Sequence, residues 1–252
     1  APIPRALWWA LALAGVALAE AGTFHWMVRH RWFHADGLYE HAPLLVLFGL
    51  WVLRREWIGM AALERHGSAW GLPLLAAGAL LHLFAVFLYR DSLSGFALLP
   101  LLAGLLLVAE GPARTRRLLP VLCLIVFLVP LPDQLLKQVT FPLKMASTSA
   151  GYGLSRLFLQ DLVARNGTEL VFAGQAAPLV VGDACSGMRS ALAMLTLGYC
   201  LAFFFGPRGL RRPLLLAAAL PVAFAGNALR IGALALAAAW RGVEFADRKS
   251  VV

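Results

Sequence analysis

The chain has 252 residues, is 61% hydrophobic and only 14% charged, and carries a net charge of +9. That balance excludes an ordinary soluble domain. The long Leu-, Ala- and Phe-rich runs exclude a barrel of short alternating strands and point to a bundle of membrane helices. The positive charge is gathered in short loops between apolar runs, the distribution of a membrane protein, so no nucleic-acid partner is expected.

About 20 apolar residues cross a hydrocarbon core of about 30 Å. On that measure spans are expected near 6–22, 39–56, 70–89, 94–110, 117–131, 186–206 and 213–240. The first run, 6–19, has no small-residue cleavage site leading into a soluble continuation and reads as a span. A less apolar helix near 134–160 carries Lys137, Lys144, Ser147, Thr148, Ser149 and Arg156. It is placed either at the interface or obliquely in the bundle. The expected fold is therefore a single all-α integral membrane domain over 1–252, a polytopic bundle of about seven to eight spans.

Orientation follows from basic residues in short loops. Arg54, Arg55 and Arg65 follow the second span, Arg114, Arg116 and Arg117 the fourth, and Arg208, Arg211 and Arg212 the sixth. These place every second loop in the cytoplasm, against the counter-signal of Arg29 and Arg31. The long 132–185 segment then faces outward. Asn166-Gly167 is a turn signal there, and the Val- and Leu-rich runs 168–173 and 177–182 flank Gly174-Gln175. They read as a small outer-face β-hairpin over 168–182. The expected location is a bacterial inner membrane, crossed several times, with this segment on the periplasmic side.

Three cysteines are present. Cys123 and Cys200 lie inside apolar runs and read as core residues. Cys185 and Cys200 are too far apart along one helix, ~22 Å, for a disulfide. Cys185 differs because it follows the hairpin directly, in Gly182-Asp183-Ala184-Cys185-Ser186-Gly187-Met188-Arg189-Ser190. It stands at the first turn of a helix at the membrane boundary, where unbonded backbone N–H groups favour a thiolate. Arg189, four residues on, shares its helix face. Gly187 leaves the N–H groups near the sulfur unshielded, so the backbone at Ser186 and Gly187 is placed to hold an oxyanion.

The last span adds Asn227-Ala228-Leu229-Arg230, an amide and a guanidinium on one helix face. An arginine within a span is costly and faces a cavity or a partner. Arg230 stands about 16 residues above the cytoplasmic end of its span, ~24 Å up a ~30 Å core. Arg189 lies ~6 Å below the outer end of its own span. Both arginines fall just under the outer surface, near Cys185. From the residues alone two readings stay open: a reactive Cys185 served by Arg230, or an inert cysteine beside an arginine that snorkels to lipid phosphate.

At these residues the chain resembles the exosortase/archaeosortase family. Asp183-Ala184-Cys185-Ser186-Gly187-Met188-Arg189-Ser190 is similar to its signature, and Asn227-Ala228-Leu229-Arg230 to its second motif. Tyr39-Glu40-His41-Ala42-Pro43 with Arg54-Arg55, Leu131-Pro132, and Phe141-Pro142-Leu143-Lys144 resemble other parts, so the likeness covers roughly 38–235. The resemblance implies a cysteine protease and transpeptidase with Cys185 as nucleophile and Arg230 stabilising the oxyanion. It implies a membrane-anchored protein substrate whose C-terminal sorting signal is a short motif, a hydrophobic helix and a basic cluster. The trimmed protein would pass through a thioester to a lipid, glycan or other surface acceptor.

The chain departs from the family pattern in two places. Asp183 stands where Glu is frequent. The basic residue expected downstream of the second motif is usually His, and no His follows Arg230. That position is expected beyond Val252, or filled by Arg241 or Arg248. His41, at the outer end of the second span, is a candidate base for a thiol; the alternative is an interfacial hydrogen-bonding role. Supporting roles are assigned to Arg189, Asn227, Asp183 and His41. His25, His30 and His34 lack metal-ligand spacing, so no metal and no cofactor are expected. The competing function is a non-enzymatic membrane subunit of an export or polysaccharide assembly system. A small-solute transporter lacks the matched broken spans that fold uses.

Overall fold

The computed structural model describes residues 4–34, 37–175, 177–181, 187–206 and 209–250. Its contacts gather in two compact units, one of residues 1–35 with 39–132 and one of 36–38 with 133–252.

The first unit begins with α1 (Arg5–Ala19) and α2 (Ala21–Met27), the latter continued by a wider π turn, Val28–Trp32. The two helices are bent by 58° at Glu20. A carboxylate among apolar helices needs partners. Glu20 Oε1 lies 2.9 Å from His82 Nδ1, without the alignment of a hydrogen bond. Ser94 donates to Glu20 Oε2 at 3.3 Å and lies 2.7 Å from the Thr23 hydroxyl. It also lies 2.9 Å from His82 Nδ1. The helix break thus places its polar residue where two other helices meet it.

Those helices are α4 (Gly71–Phe87) and α5 (Asp91–Glu110), an antiparallel pair. A methyl group on Gly78 would stand 2.8 Å from the Leu101 backbone nitrogen, and one on Gly104 2.7 Å from that of Leu75. Small residues let these backbones approach closely, the device by which membrane helices gain packing without a hydrophobic drive. At the far end of α5, Glu110 is 2% exposed and meets Arg114 of α6 (Pro112–Leu122) at 2.7 Å and Arg65 at 3.4 Å. Arg114 also donates to the carbonyls of Met60 and Leu63, which follow α3 (Ala42–Gly59). One buried guanidinium therefore closes both the α5–α6 turn and the end of α3, whose last carbonyls have no partner within the helix.

The unit ends with the short α7 (Ile125–Leu128). The backbone freed beyond it is taken up by side chains. Trp32 Nε1 donates to Leu128 O at 3.1 Å, and the Tyr39 hydroxyl accepts from Leu131 N at 2.8 Å. Irregular backbone among apolar helices persists only where such partners exist.

The second unit is built on α8 (Asp133–Leu159), α9 (Met188–Cys200, continued as a π turn, Leu201–Phe205) and α10 (Arg211–Arg241), with a short α11 (Val243–Ser250). The second half of α8 buries Ser147, Thr148, Gly151 and Ser155. Its first half keeps Leu135, Val139 and Phe141 exposed. Between α8 and α9 runs a three-stranded antiparallel sheet, β1 (Val163–Asn166), β2 (Glu169–Phe172) and β3 (Leu179–Val180), in the order β1-β2-β3. Its inner residues Val163, Leu170, Phe172 and Leu179 form one apolar core with Leu159 of α8, Ile231, Ala235 and Ala238 of α10, and Val243 and Ala246. The sheet is thereby seated on the C-terminal third of α10.

Two expectations need correcting. The hairpin expected over 168–182 is two strands of a three-stranded sheet. Asn166-Gly167 does not precede the structure but closes its first hairpin, with Asn166 opposite Glu169 and Gly167 at φ 60. The added strand, Val163–Asn166, has only Val163 buried, so its alternation was too short to stand out.

Nor do the seven or eight expected spans appear as that many unbroken helices. Asp91–Glu110, Met188–Phe205 and Arg211–Arg241 are each long and apolar enough to cross a membrane, and Gly71–Phe87 is a shorter apolar helix. The first expected span is broken at Glu20, and the fifth between Leu122 and Ile125. The second carries Arg54, Arg55 and Glu56 near its end.

The α8–α10 contact can be tested by paired glycines. A methyl on Gly151 would stand 2.7 Å from Ile231 Cβ, whereas nothing lies within 4 Å of one on Gly153. Gly153→Ala is expected to hold or raise thermal stability in detergent, by the ~0.5–1 kcal/mol of a helical Gly-to-Ala change. Gly151→Ala is expected to lower it by a net ~1–2 kcal/mol as overpacking prevails. Equal shifts for both would contradict the close approach.

Candidate active site

α9 and α10 lie side by side and antiparallel. Gly187 is the N-cap of α9 in the left-handed region, φ 83 and ψ −3, and its carbonyl accepts from Ala191 N at 2.8 Å. A methyl group on Gly187 would stand 2.9 Å from Asn227 Nδ2 and 3.2 Å from Asn227 Cγ. Further along the pair, one on Gly198 would meet Ala219 Cβ at 3.3 Å and Leu215 O at 3.5 Å. Only glycine satisfies both the positive φ and the space at the first point. Residue 187 therefore sets where α9 starts and which residue of α10 it starts against.

That contact brings the two sequence motifs together. Asn227 is 3% exposed, while Arg189 and Arg230 are half-buried. All three are engaged by neighbours. The helices run antiparallel, so the two arginines diverge from the Gly187–Asn227 level. Arg189 lies ~3 Å along α9 away from its start, and Arg230 ~4.5 Å along α10 in the opposite sense. Arg230 thus stands beyond the start of α9, on the third of α10 that carries the sheet. The first turn of α9 supplies backbone N–H groups that no helical carbonyl reaches.

Asp183, Cys185 and Ser186 lie outside the described residues. His41 belongs to the first unit. It precedes α3 as its N-cap and stacks on Tyr39 with ring centroids 6.1 Å apart. Its ring is half-buried. Arg241 is exposed at the end of α10, its guanidinium 5.4 Å from the Phe245 ring; the Arg248 side chain lies outside the described residues. Cys200 is buried in α9 and Cys123 half-buried. Among the described residues no His, Cys, Asp and Glu side chains cluster as a metal site would require.

Sequence reasoning passed over Gln175. Its Nε2 donates to Ala238 O at 2.8 Å, and its Oε1 accepts from Val243 N at 3.0 Å. One amide thereby bridges the break between α10 and α11, where Gly242 takes φ 90, and ties the β2–β3 connection to the end of α10. A Gln after Gly in a turn gives no signal of such a role.

These features define a helical membrane protein in which a cysteine-bearing segment leads into a helix seated on an arginine-bearing one. A family model for the transmembrane exosortases (Exosortase_EpsH) matches residues 26–249. The chain belongs to that family, one of membrane transpeptidases. No curated protein and no solved structure matches it.

The junction is open to a double-mutant cycle. Gly187→Ala is expected to lose ~1–2 kcal/mol to the left-handed backbone and a further ~1 kcal/mol or more to the Asn227 side chain. In an Asn227→Ala background the second loss should disappear and the first remain. Strict additivity of the two thermal shifts would show that the side chains do not meet.

Proposed function

We propose that the chain is a cysteine transpeptidase that removes C-terminal sorting signals from membrane-anchored proteins at the outer face of the bacterial inner membrane. The observation that carries this reading is the seat of Gly187 on Asn227. It sets Gly187, two positions after Cys185 in the sequence, against the first residue of the Asn-Ala-Leu-Arg segment. The family membership supports it independently.

In this mechanism the substrate's apolar helix enters from the bilayer and presents its scissile amide near the start of α9. The Cys185 thiolate, favoured by the helix N-terminus and by Arg189, attacks the carbonyl carbon. The carbonyl π pair moves to oxygen, and the oxyanion is held by Arg230 and the backbone N–H groups of Ser186 and Gly187. Collapse re-forms the carbonyl, breaks the C–N bond and leaves a thioester, while the departing tail's nitrogen takes up a proton. A nucleophile on a lipid or glycan acceptor then attacks the thioester, loses its proton and restores the thiol. Asn227 positions Gly187, and Asp183 supports the entering segment.

The test is intact mass spectrometry of a co-expressed membrane protein bearing a short motif, an apolar helix and a basic cluster. The tail should be lost with the parent chain and kept with Cys185→Ala; any added mass identifies the acceptor. Processing that survives Cys185→Ala would end the proposal.

A second test needs no substrate. In a Cys123→Ala, Cys200→Ala background, alkylation of Cys185 by iodoacetamide should show a midpoint below the free-thiol value of about 8.5. Arg189→Gln should raise that midpoint. A midpoint at or above about 8.5, unmoved by Arg189→Gln, would count against an activated thiolate.

A further inference from the structure

The first unit holds an apolar groove of about 660 Å³ between α1, α3, α5 and α6. Its walls include Trp9 and Leu13 of α1, Leu53 and Trp57 of α3, and Leu105 of α5. The one charged lining residue is Arg54. The volume lies within the roughly 300–1,000 Å³ of small-molecule sites. On α3 the lining runs from Leu50 to Ile58, ~12 Å of helix.

We propose that this groove binds one phosphate-bearing glycerolipid, with an acyl chain along the Leu13–Leu53–Leu105 walls and the phosphate on Arg54. Charge complementarity carries the assignment. Arg55 and Arg117 share Glu56, at 3.0 Å each. Arg54 is exposed and makes no ion pair among the described residues. The mouth of the groove is therefore positive, and an anion with a long apolar tail completes it. A protein segment ending in a basic cluster would be repelled there. Trp9 and Trp57, edge to face at 6.0 Å, line the same groove as Arg54, and such amphipathic rings favour the headgroup level of a membrane. Basic pockets between membrane helices at such a level bind anionic headgroups. The inference rests on the chain's embedding in a membrane and not on the transpeptidase reading.

Native mass spectrometry of the delipidated full chain, titrated with phosphatidylglycerol, tests it, with diacylglycerol and inorganic phosphate as the two half-ligands. One phosphatidylglycerol should be retained. Arg54→Gln, which removes the charge, and Leu53→Trp, which fills the groove, should each weaken retention roughly tenfold or more. Arg116→Gln, an exposed charge away from the lining, should leave it unchanged. Diacylglycerol should bind weakly, and millimolar phosphate should not displace the lipid.

Equal retention of diacylglycerol, or full retention by Arg54→Gln, would reduce the groove to ordinary lipid contact and overturn the proposal. Displacement by phosphate with no effect of Leu53→Trp would leave a headgroup site and overturn the acyl-chain assignment. If either variant fails to fold, a phosphatidylglycerol with a diazirine on its acyl chain gives the answer on the parent chain. Labelling should fall within 9–13 and 50–58, and labelling only elsewhere would refute the site.

Discussion

The approach of Gly187 to Asn227 is the constraint on which the second unit turns. Two helices from one chain can slide along one another by whole turns unless something fixes their register. Here a glycine in the left-handed region abuts a buried amide, and a second small-residue contact, Gly198 against Ala219, pins the pair further on. Between two such points neither helix is free to slip by a turn, since each ~5.4 Å step would drive a side chain into the neighbouring backbone. The start of α9 is thus held at a defined height on α10, and Arg230 stands just beyond that height.

The same economy governs polar groups elsewhere. Glu20, His82, Ser94 and Thr23 gather at a helix break. Arg114 serves Glu110 and two carbonyls at the opposite end of α5. Breaking such a buried pair from one side leaves an uncompensated charge and costs far more than the pair contributes. These residues are best understood as what lets the helices bend and stop. Breaks that would be intolerable in lipid are eased where freed backbone groups meet side chains, as Leu128 O meets Trp32, Leu131 N meets Tyr39, and Met60 O and Leu63 O meet Arg114.

What was legible in the sequence follows from the range of each signal. Helix existence was legible because the apolar runs are long; helix count was not. A break such as that at Glu20 leaves the hydropathy of its surroundings almost unchanged. The strands β2 and β3 could be read from Val and Leu flanking a Gly turn. β1 could not, with one buried side chain in four residues. Arg189, Asn227 and Arg230 were found because polar groups near apolar spans demand a reason. The contact that unites them went unread, because a glycine's role depends on what faces it. Gln175 was missed for the same cause: its partners, Ala238 and Val243, are remote in sequence.

A cysteine nucleophile changes how the proposed chemistry divides its labour. A serine nucleophile at neutral pH needs a base, since its hydroxyl does not ionise. A thiol near its pKa does not, provided its surroundings favour the anion. On the proposed reading the N-terminus of α9 and the Arg189 guanidinium supply such surroundings without transferring a proton. The remaining demand is at the leaving nitrogen, which must be protonated as the C–N bond breaks. A group near the membrane surface with access to water meets that demand more readily than one deep in a span. On the proposed reading the arginines therefore serve charge and the backbone serves geometry, while the leaving nitrogen calls for an acid and the acceptor nucleophile for a base.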